Sequence, residues 1–279
     1  MIKKILVALD PDSDTPVATR CAIEIARRHA AEVVGLALID SEGIEKGSRG
    51  GAIGSMHYAE KIREALTDET REAARSLVEA FTETMTGSGL GHRVLVQEGG
   101  PHERIADDMK YHDLLVVGRN PHFFYGRPNR ETDILVQVVH ESVGPKLIVS
   151  TTDVQVRKVL VAFDGSSPAA RAMKQFAQTA PFGTDVQVEV LNVYDEDSAR
   201  SELILRLASE YLQSFGFLVT TSSQHGSHAE HAIVEHASDT GADLVVLGAD
   251  SAKKIRRLAF GSTTVKFLRD SKTPLYLDH

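Results

Sequence analysis

The chain repeats itself, and this internal repeat restricts its fold more than any other feature. Three blocks of the first half return in the same order in the second half: IKKILVALD as VRKVLVAFD, HDLLVVGR as ADLVVLGA, and SVGPKLIVS as SKTPLYLDH. Matching blocks lie 154, 130 and 129 residues apart, so the second copy is shorter by about one helical stretch. Self-similarity on this scale predicts two domains of one kind, residues 1–150 and 155–279.

The apolar runs of each copy predict the fold class. Runs such as ILVAL, LLVVG and KLIVS are short and continuously apolar, which is typical of strands buried on both faces of a parallel sheet. The first helix of each copy is predicted to begin with a capping hydroxyl and a proline, Thr15-Pro16 and Ser167-Pro168. Alternating strands and helices therefore predict an α/β protein with two repeated open parallel five-stranded sheets and helices on both faces.

The candidate binding site follows from this topology. Ligands of open parallel sheets bind beyond the carboxyl ends of the strands, where the strand order reverses. In the second copy this rule brings together Asp164, Gly248 and the segment 261–264, GSTT, which precedes a helical run. Helix N-termini bind phosphate through backbone amides, and glycine allows close approach. The spacing indicates a nucleotide site, with a tight turn at Gly248 and a helix cap at Ser262 as the plain structural alternatives.

The same residues carry a resemblance to a known family. The strand ending VAFDGSSP, the segment GADLVVLGA and a pattern of the form G-x2-G-x9-G-S resemble the universal stress protein family in a tandem form, over nearly the whole chain. Ser251 stands where the pattern has its second glycine. The resemblance implies an adenine nucleotide, ATP or AMP, with Mg²⁺ accompanying ATP. It implies Ala162 and Asp164 at the adenine and ribose, the backbone of Val193 at the adenine, Gly248 and Ser251 at the ribose and phosphates, and Gly261, Ser262 and Thr263 at the phosphates.

The first copy departs much further from this pattern. Its corresponding residues are Gly118, Pro121, Glu131 and Thr132. Proline has no amide to donate, and Glu131 would set a negative charge against a polyanion. The first copy is therefore predicted not to hold ATP in the usual way. For its segment RNPHFFYGRPNRE, residues 119–131, the sequence favours an interdomain contact that buries the aromatic side chains over a different ligand or a partner surface.

Four histidines lie close together in the second copy, within HGSHAEHAIVEH, residues 225–236. A zinc site would need its ligands on one helix face, and only His228 and His231 share one. A solvated helix start is the favoured interpretation, and no metal site is predicted. The glycine-rich segment 41–61 has no phosphate-loop pattern and is predicted to be a flexible excursion before a long helix, from 58 to about 85.

Composition limits the partners and the compartment. The net charge of −8 argues against a general nucleic-acid or membrane-surface binder. No apolar run approaches the length that spans a membrane. The single cysteine, Cys21, cannot form an internal disulfide, so the sequence predicts a cytoplasmic protein.

Three functions are open at this point. The favoured one is a cytosolic tandem universal stress protein that binds ATP or AMP in its C-terminal domain as a regulatory ligand in a stress response. The second is a slow ATP hydrolase or autokinase acting through Ser262, Thr263 or Thr264, although no general base accompanies them and no catalytic residue is predicted. The third is a nucleotide-free protein-interaction module. The resemblance also implies pairing of KLIVS with PLYLDH into a pseudo-dimer within the chain, and a homodimer of two chains.

Overall fold

A computed structural model describes residues 1–48, 56–119, 121, 123, 131–151, 155–249, 267 and 271–278. The first half contains β1 (Lys4–Leu9), α1 (Thr15–His29), β2 (Glu32–Ile39), α2 (Ser41–Ser48), α3 (Met56–Ser88), β3 (His92–Glu98), α4 (Pro101–Met109), β4 (Leu114–Gly118), α5 (Glu131–Glu141) and β5 (Lys146–Val149). The second half contains β6 (Lys158–Ala162), α6 (Ser167–Thr179), β7 (Gln187–Tyr194), α7 (Ser198–Ser214), β8 (Leu218–His225), α8 (Ala229–Thr240), β9 (Leu244–Gly248) and β10 (Leu275–Asp278).

The strands form one ten-stranded sheet in the order β3-β2-β1-β4-β5-β10-β9-β6-β7-β8. Within each half the strands are parallel, and the order reverses beside β1 and beside β6. The halves join where β5 and β10 pair antiparallel, with Leu275 opposite Ile148. The predicted α/β class with two parallel five-stranded sheets is confirmed, and the two sheets continue into one another. Because β5 and β10 run in opposite directions, the carboxyl ends of the two halves lie at opposite edges of the sheet.

Both faces of the sheet are buried, which is why the strands are continuously apolar. Along β1, Ile5 and Val7 belong to one buried cluster, and Leu6 and Ala8 belong to the other. Each cluster contains residues of both halves, so the halves share their cores. Tyr276 of β10 is fully buried in the first cluster, and its hydroxyl lies 3.2 Å from Oγ1 of Thr179.

Local structure departs from the sequence prediction in two places. Residues 41–48 form α2, where a flexible excursion was predicted, and α3 extends from Met56 to Ser88. These two helices account for the extra length of the first copy, because α7 alone connects β7 to β8. Both first helices also begin one residue earlier than predicted. The cap of α6 is Ser166, whose side chain accepts the N–H of Ala169, and α1 is preceded by Asp14 without a side-chain cap. No helix in the described parts of the chain is long and apolar enough to cross a membrane.

Candidate functional site

One cavity at the carboxyl end of β6 brings together four of the predicted nucleotide residues. Ala162, Asp164, Val193 and Gly248 all line this cavity, which has a volume of about 110 Å³. It lies beside β6 and β9, the neighbouring strands at which the order of the second half reverses. Helices α6 and α8 complete its walls. We call it the β6 cavity.

The other four predicted residues lie outside the described part of the chain. They are Ser251, Gly261, Ser262 and Thr263. The described residues are Ala162, Asp164 and Val193, which the resemblance assigns to the adenine and ribose, and Gly248, which it assigns to the ribose and phosphates. The phosphate contacts themselves stay a prediction from the sequence.

The walls of the β6 cavity are mostly apolar, with one carboxylate. Leu191, Ile233 and Leu247 contribute buried aliphatic side chains. Asp164 is exposed, and its Oδ1 accepts the N–H of Ser166 at 2.8 Å. An apolar slot with few polar groups is typical of small-ligand sites. A flat aromatic ring that carries hydrogen-bond donors matches these walls, since the ring meets aliphatic carbon and a donor can reach the carboxylate.

Gly248 is needed for packing, whether or not a ligand binds. A Cβ at this position would lie 2.4 Å from the backbone N of Ala169 and 2.4 Å from the carbonyl carbon of Pro168. The first turn of α6 therefore packs directly against the end of β9. Gly248 does not adopt a positive φ. The glycine thus reflects close helix–strand approach, and the tight turn considered from the sequence is not the reason for it.

A second recess adjoins the β6 cavity and is strongly acidic. It has a volume of about 320 Å³ and shares Asp164 and Val193 with the β6 cavity. Three further carboxylates line it, those of Asp195, Glu196 and Asp197, against a single cationic side chain, Arg200. This excess of negative charge repels phosphate.

The matching place in the first half is filled by carboxylates. The loop DPDSDTP, residues 10–16, is two residues longer than its counterpart DGSSP, residues 164–168, and it carries two additional aspartates, Asp12 and Asp14. A Cβ at Gly118 would lie 2.7 Å from Cβ of Asp14 and 3.1 Å from Oδ2 of Asp12. The additional aspartates therefore stand directly against the end of β4, where Gly248 faces the β6 cavity in the second half.

These carboxylates make the first-half site hostile to an anion. Asp10 and Asp14 are 2% and 1% exposed, and Oδ2 of Asp14 accepts the N–H of Arg119 at 3.0 Å. Burial raises the pKa of Asp12, and the neighbouring charge of Asp14 raises it further. Crowded, poorly solvated carboxylates repel phosphate strongly. Sequence reasoning missed this closure, although the two-residue insertion is visible when the repeats are aligned.

Arg119 and Phe123 lie in the interdomain contact that the sequence favoured for residues 119–131. The Arg119 guanidinium donates from Nη1 to the carbonyl of Phe267 at 3.1 Å and from Nη2 to the carbonyl of Thr273 at 2.5 Å. Burial lowers the pKa of Arg119 to about 10, and the charge of Asp14 partly opposes this shift. Phe123 is 3% exposed and belongs to the same core cluster as Phe267. Phe124, Tyr125, Arg127 and Arg130 of that segment lie outside the described residues.

Comparison with known proteins gives one family. The family model described as the universal stress protein family matches twice, over residues 1–149 and 155–278. Universal stress protein Slr1230 from Synechocystis sp. is 26% identical over 167 residues, which cover 58% of this chain and 56% of that protein, so the match spans about half the length of this curated relative.

The solved structures to which this chain is similar include two universal stress proteins. A universal stress protein from Archaeoglobus fulgidus aligns with a TM-score of 0.73 at 19% identity, over 99% of this chain and 95% of that one. A universal stress protein in complex with cAMP aligns with a TM-score of 0.39 at 27% identity, over 44% of this chain and 97% of that one. The first of these establishes a shared fold along the whole chain.

Proposed function

This chain belongs to the universal stress protein family, as two tandem copies of the family domain, and on that premise we propose that its second half binds an adenine nucleotide, ATP or AMP, as a regulatory ligand. The observation that carries the proposal is the β6 cavity, in which Ala162, Asp164, Val193 and Gly248 meet at the switch point of the strand order. These four residues come from three strands and the loop after β6.

The electrostatics of the cavity support a definite orientation of the nucleotide. The adenine lies in the apolar slot, with Asp164 positioned to accept a hydrogen bond from the base or the ribose. The acidic recess lies on the opposite side from Gly248 along the sheet edge, so the phosphates extend past β9 toward the predicted phosphate segment, 261–263. In the first half, the additional aspartates beside Gly118 exclude a nucleotide held in this way.

The position of the cavity also suggests how binding is sensed. Gly248 pairs with Asp278 in the register of β9 and β10, and β10 pairs with β5 of the first half. A nucleotide at the end of β9 therefore contacts the strand next to β10, which forms the junction of the halves with β5. A ligand shifts an equilibrium only through unequal affinity for the two states. We propose that the states differ at this junction.

A thermal-stability titration tests nucleotide binding. The unfolding midpoint of the full chain is followed with ATP and Mg²⁺, AMP, or neither. A ligand that binds only the native state, and is present at a concentration 100 times its dissociation constant, raises the free energy of unfolding by about 2.7 kcal/mol. Asp164→Asn keeps the acceptor for the N–H of Ser166 and removes the charge, so we expect about a tenfold weaker affinity and a smaller shift. Ala162→Leu fills the slot, and we expect it to abolish the shift.

The matched control is Asp239→Asn, an exposed aspartate on α8 outside the cavity lining. It should leave the titration unchanged. An absent shift at millimolar ATP and AMP contradicts the proposal, and so does a shift that Ala162→Leu leaves intact. Comparing ATP and Mg²⁺ with AMP then measures how much the β- and γ-phosphates and their metal ion contribute to the affinity.

A further inference from the structure

We propose that His228, Glu230 and His231 form a zinc-binding site at the start of α8. Each residue offers one ligand atom, and these three atoms all lie within 4.8 Å of one another. The spacing of the histidines alone does not predict this group, because it does not show that Glu230 joins His228 and His231. It is the one set of three or more metal-ligating side chains at such distances within the described residues.

The distances suit a tetrahedral ion. Nδ1 of His228 lies 3.6 Å from Oε1 of Glu230, and Nδ1 of His231 lies 3.8 Å from the same oxygen. Zinc binds histidine nitrogen and carboxylate oxygen at about 2.0–2.2 Å, so two ligands of a tetrahedral ion stand about 3.4 Å apart. Each histidine nitrogen is thus a few tenths of an ångström too far from Oε1 of Glu230, and the three ligand atoms all lie within 4.8 Å of one another. Binding requires the histidine side chains to rotate toward the ion, and both are exposed.

The start of the helix explains why the three residues meet. His228 is the N-cap of α8 and has non-helical dihedral angles, φ −117° and ψ 73°. Its side chain is therefore not fixed on the helix face that it would share with His231, and it also reaches Glu230. Glu230 lies between the two histidines, and the rings of His228 and His231 stand edge to face with centroids 5.9 Å apart. The positive N-terminal end of the helix dipole disfavours a cation, and the carboxylate of Glu230 in the first turn offsets this effect.

The ligand set selects the class of metal. Two imidazoles and one carboxylate suit Zn²⁺ and its transition-metal neighbours, whereas Mg²⁺ and Ca²⁺ prefer sites made entirely of oxygen. Three protein ligands leave the fourth tetrahedral position for water or a ligand. The site lies at the rim of the β6 cavity, because Ala229, between the first two ligands, lines that cavity. Zinc binding at these three residues requires no bound nucleotide.

Calorimetric titration of the metal-free full chain with ZnCl₂, in the absence of nucleotide, tests the site. We expect saturable binding of one ion per chain. His228→Ala, Glu230→Gln and His231→Ala should each weaken the affinity at least tenfold. Two matched controls, His225→Ala and Glu235→Gln, change exposed residues within seven positions of the site and should leave it unchanged. MgCl₂ should give no heat of binding at this site.

His228 and His231 are exposed and Glu230 is half-buried, so we expect the variants to keep the unfolding midpoint of the parent chain. Zinc binding that persists unchanged in the double variant His228→Ala, His231→Ala overturns the proposal. It is equally overturned if no stoichiometric binding occurs in the parent chain, or if MgCl₂ competes equally with zinc. Because nucleotide is absent throughout, none of these results bears on the nucleotide proposal.

Discussion

Replacing Arg119 with methionine tests how the two halves are held together. The guanidinium donates two hydrogen bonds to carbonyls of the second half, those of Phe267 and Thr273, from a position that is 9% exposed. Methionine keeps much of the apolar stem and removes both donors. Hydrogen bonds to a charged group contribute about 1.5–3 kcal/mol each. We use the lower end of this range, because burial of the guanidinium disfavours its charged form and offsets part of the gain. The same burial lowers the pKa of Arg119 to about 10. We expect a loss of about 3 kcal/mol in the free energy of unfolding.

Urea unfolding at pH 7 measures this loss. Arg119→Lys retains a positive charge but lacks the two-pronged donor, so it should lose about half as much. Arg171→Met, on the exposed surface of α6, is the control and should change the free energy by less than about 0.5 kcal/mol. A loss at Arg119 no larger than that at Arg171 would refute the reasoning. It would mean that water replaces the guanidinium at both carbonyls without cost.

Two further predictions concern packing and buried charge. Gly248→Ala should lower the free energy of unfolding by roughly 1–3 kcal/mol, because the new Cβ collides with the backbone of α6. Gly87→Ala in α3 should raise it by about 0.5–1 kcal/mol, because a Cβ there meets nothing within 4 Å. Urea unfolding of both variants measures the two changes, which should have opposite signs. Burial lowers the pKa of Lys146 to about 8, although the charge of Asp278 opposes the shift. The unfolded chain, with its lysine pKa near 10.5, then binds more protons than the folded chain between about pH 8 and pH 10. Stability should rise with pH across that window relative to Lys146→Met, and parallel pH profiles for the two proteins would show the reasoning to be wrong.

Much of the fold could be predicted from the sequence, because neighbouring residues record the burial and type of each strand and helix. A continuously apolar run such as LLVVG reports burial on both faces of a strand, and the alternation of such runs with helical patterns limits the topology to a parallel sheet. The switch-point rule then placed Asp164 and Gly248 at one edge. The structure brings both of them, with Ala162 and Val193, to the β6 cavity. Helix starts were less exact, because the hydroxyl of Ser166 and that of Ser167 are equally plausible caps when only the sequence is known.

Features that join distant residues were decided by the tertiary structure. The insertion carrying Asp12 and Asp14 is visible in the sequence, but only the pairing of β1 with β4 sets those carboxylates against Gly118. The spacing of His228 and His231 is also visible, but the exact start of α8 brings Glu230 between them.

The contacts of Arg119 show most directly what the sequence alone does not predict. The repeat predicted two similar sheets, and it showed a nucleotide-binding pattern that is nearly complete in the second copy and degenerate in the first. It did not determine what Arg119 would contact, because its acceptors lie 148 and 154 residues further along the chain. Periodicity records which side of a strand or helix is buried, and it carries no information about the element that buries it. That partner was decided when β5 and β10 paired antiparallel, which placed the carboxyl edge of the first half beside the residues that precede β10.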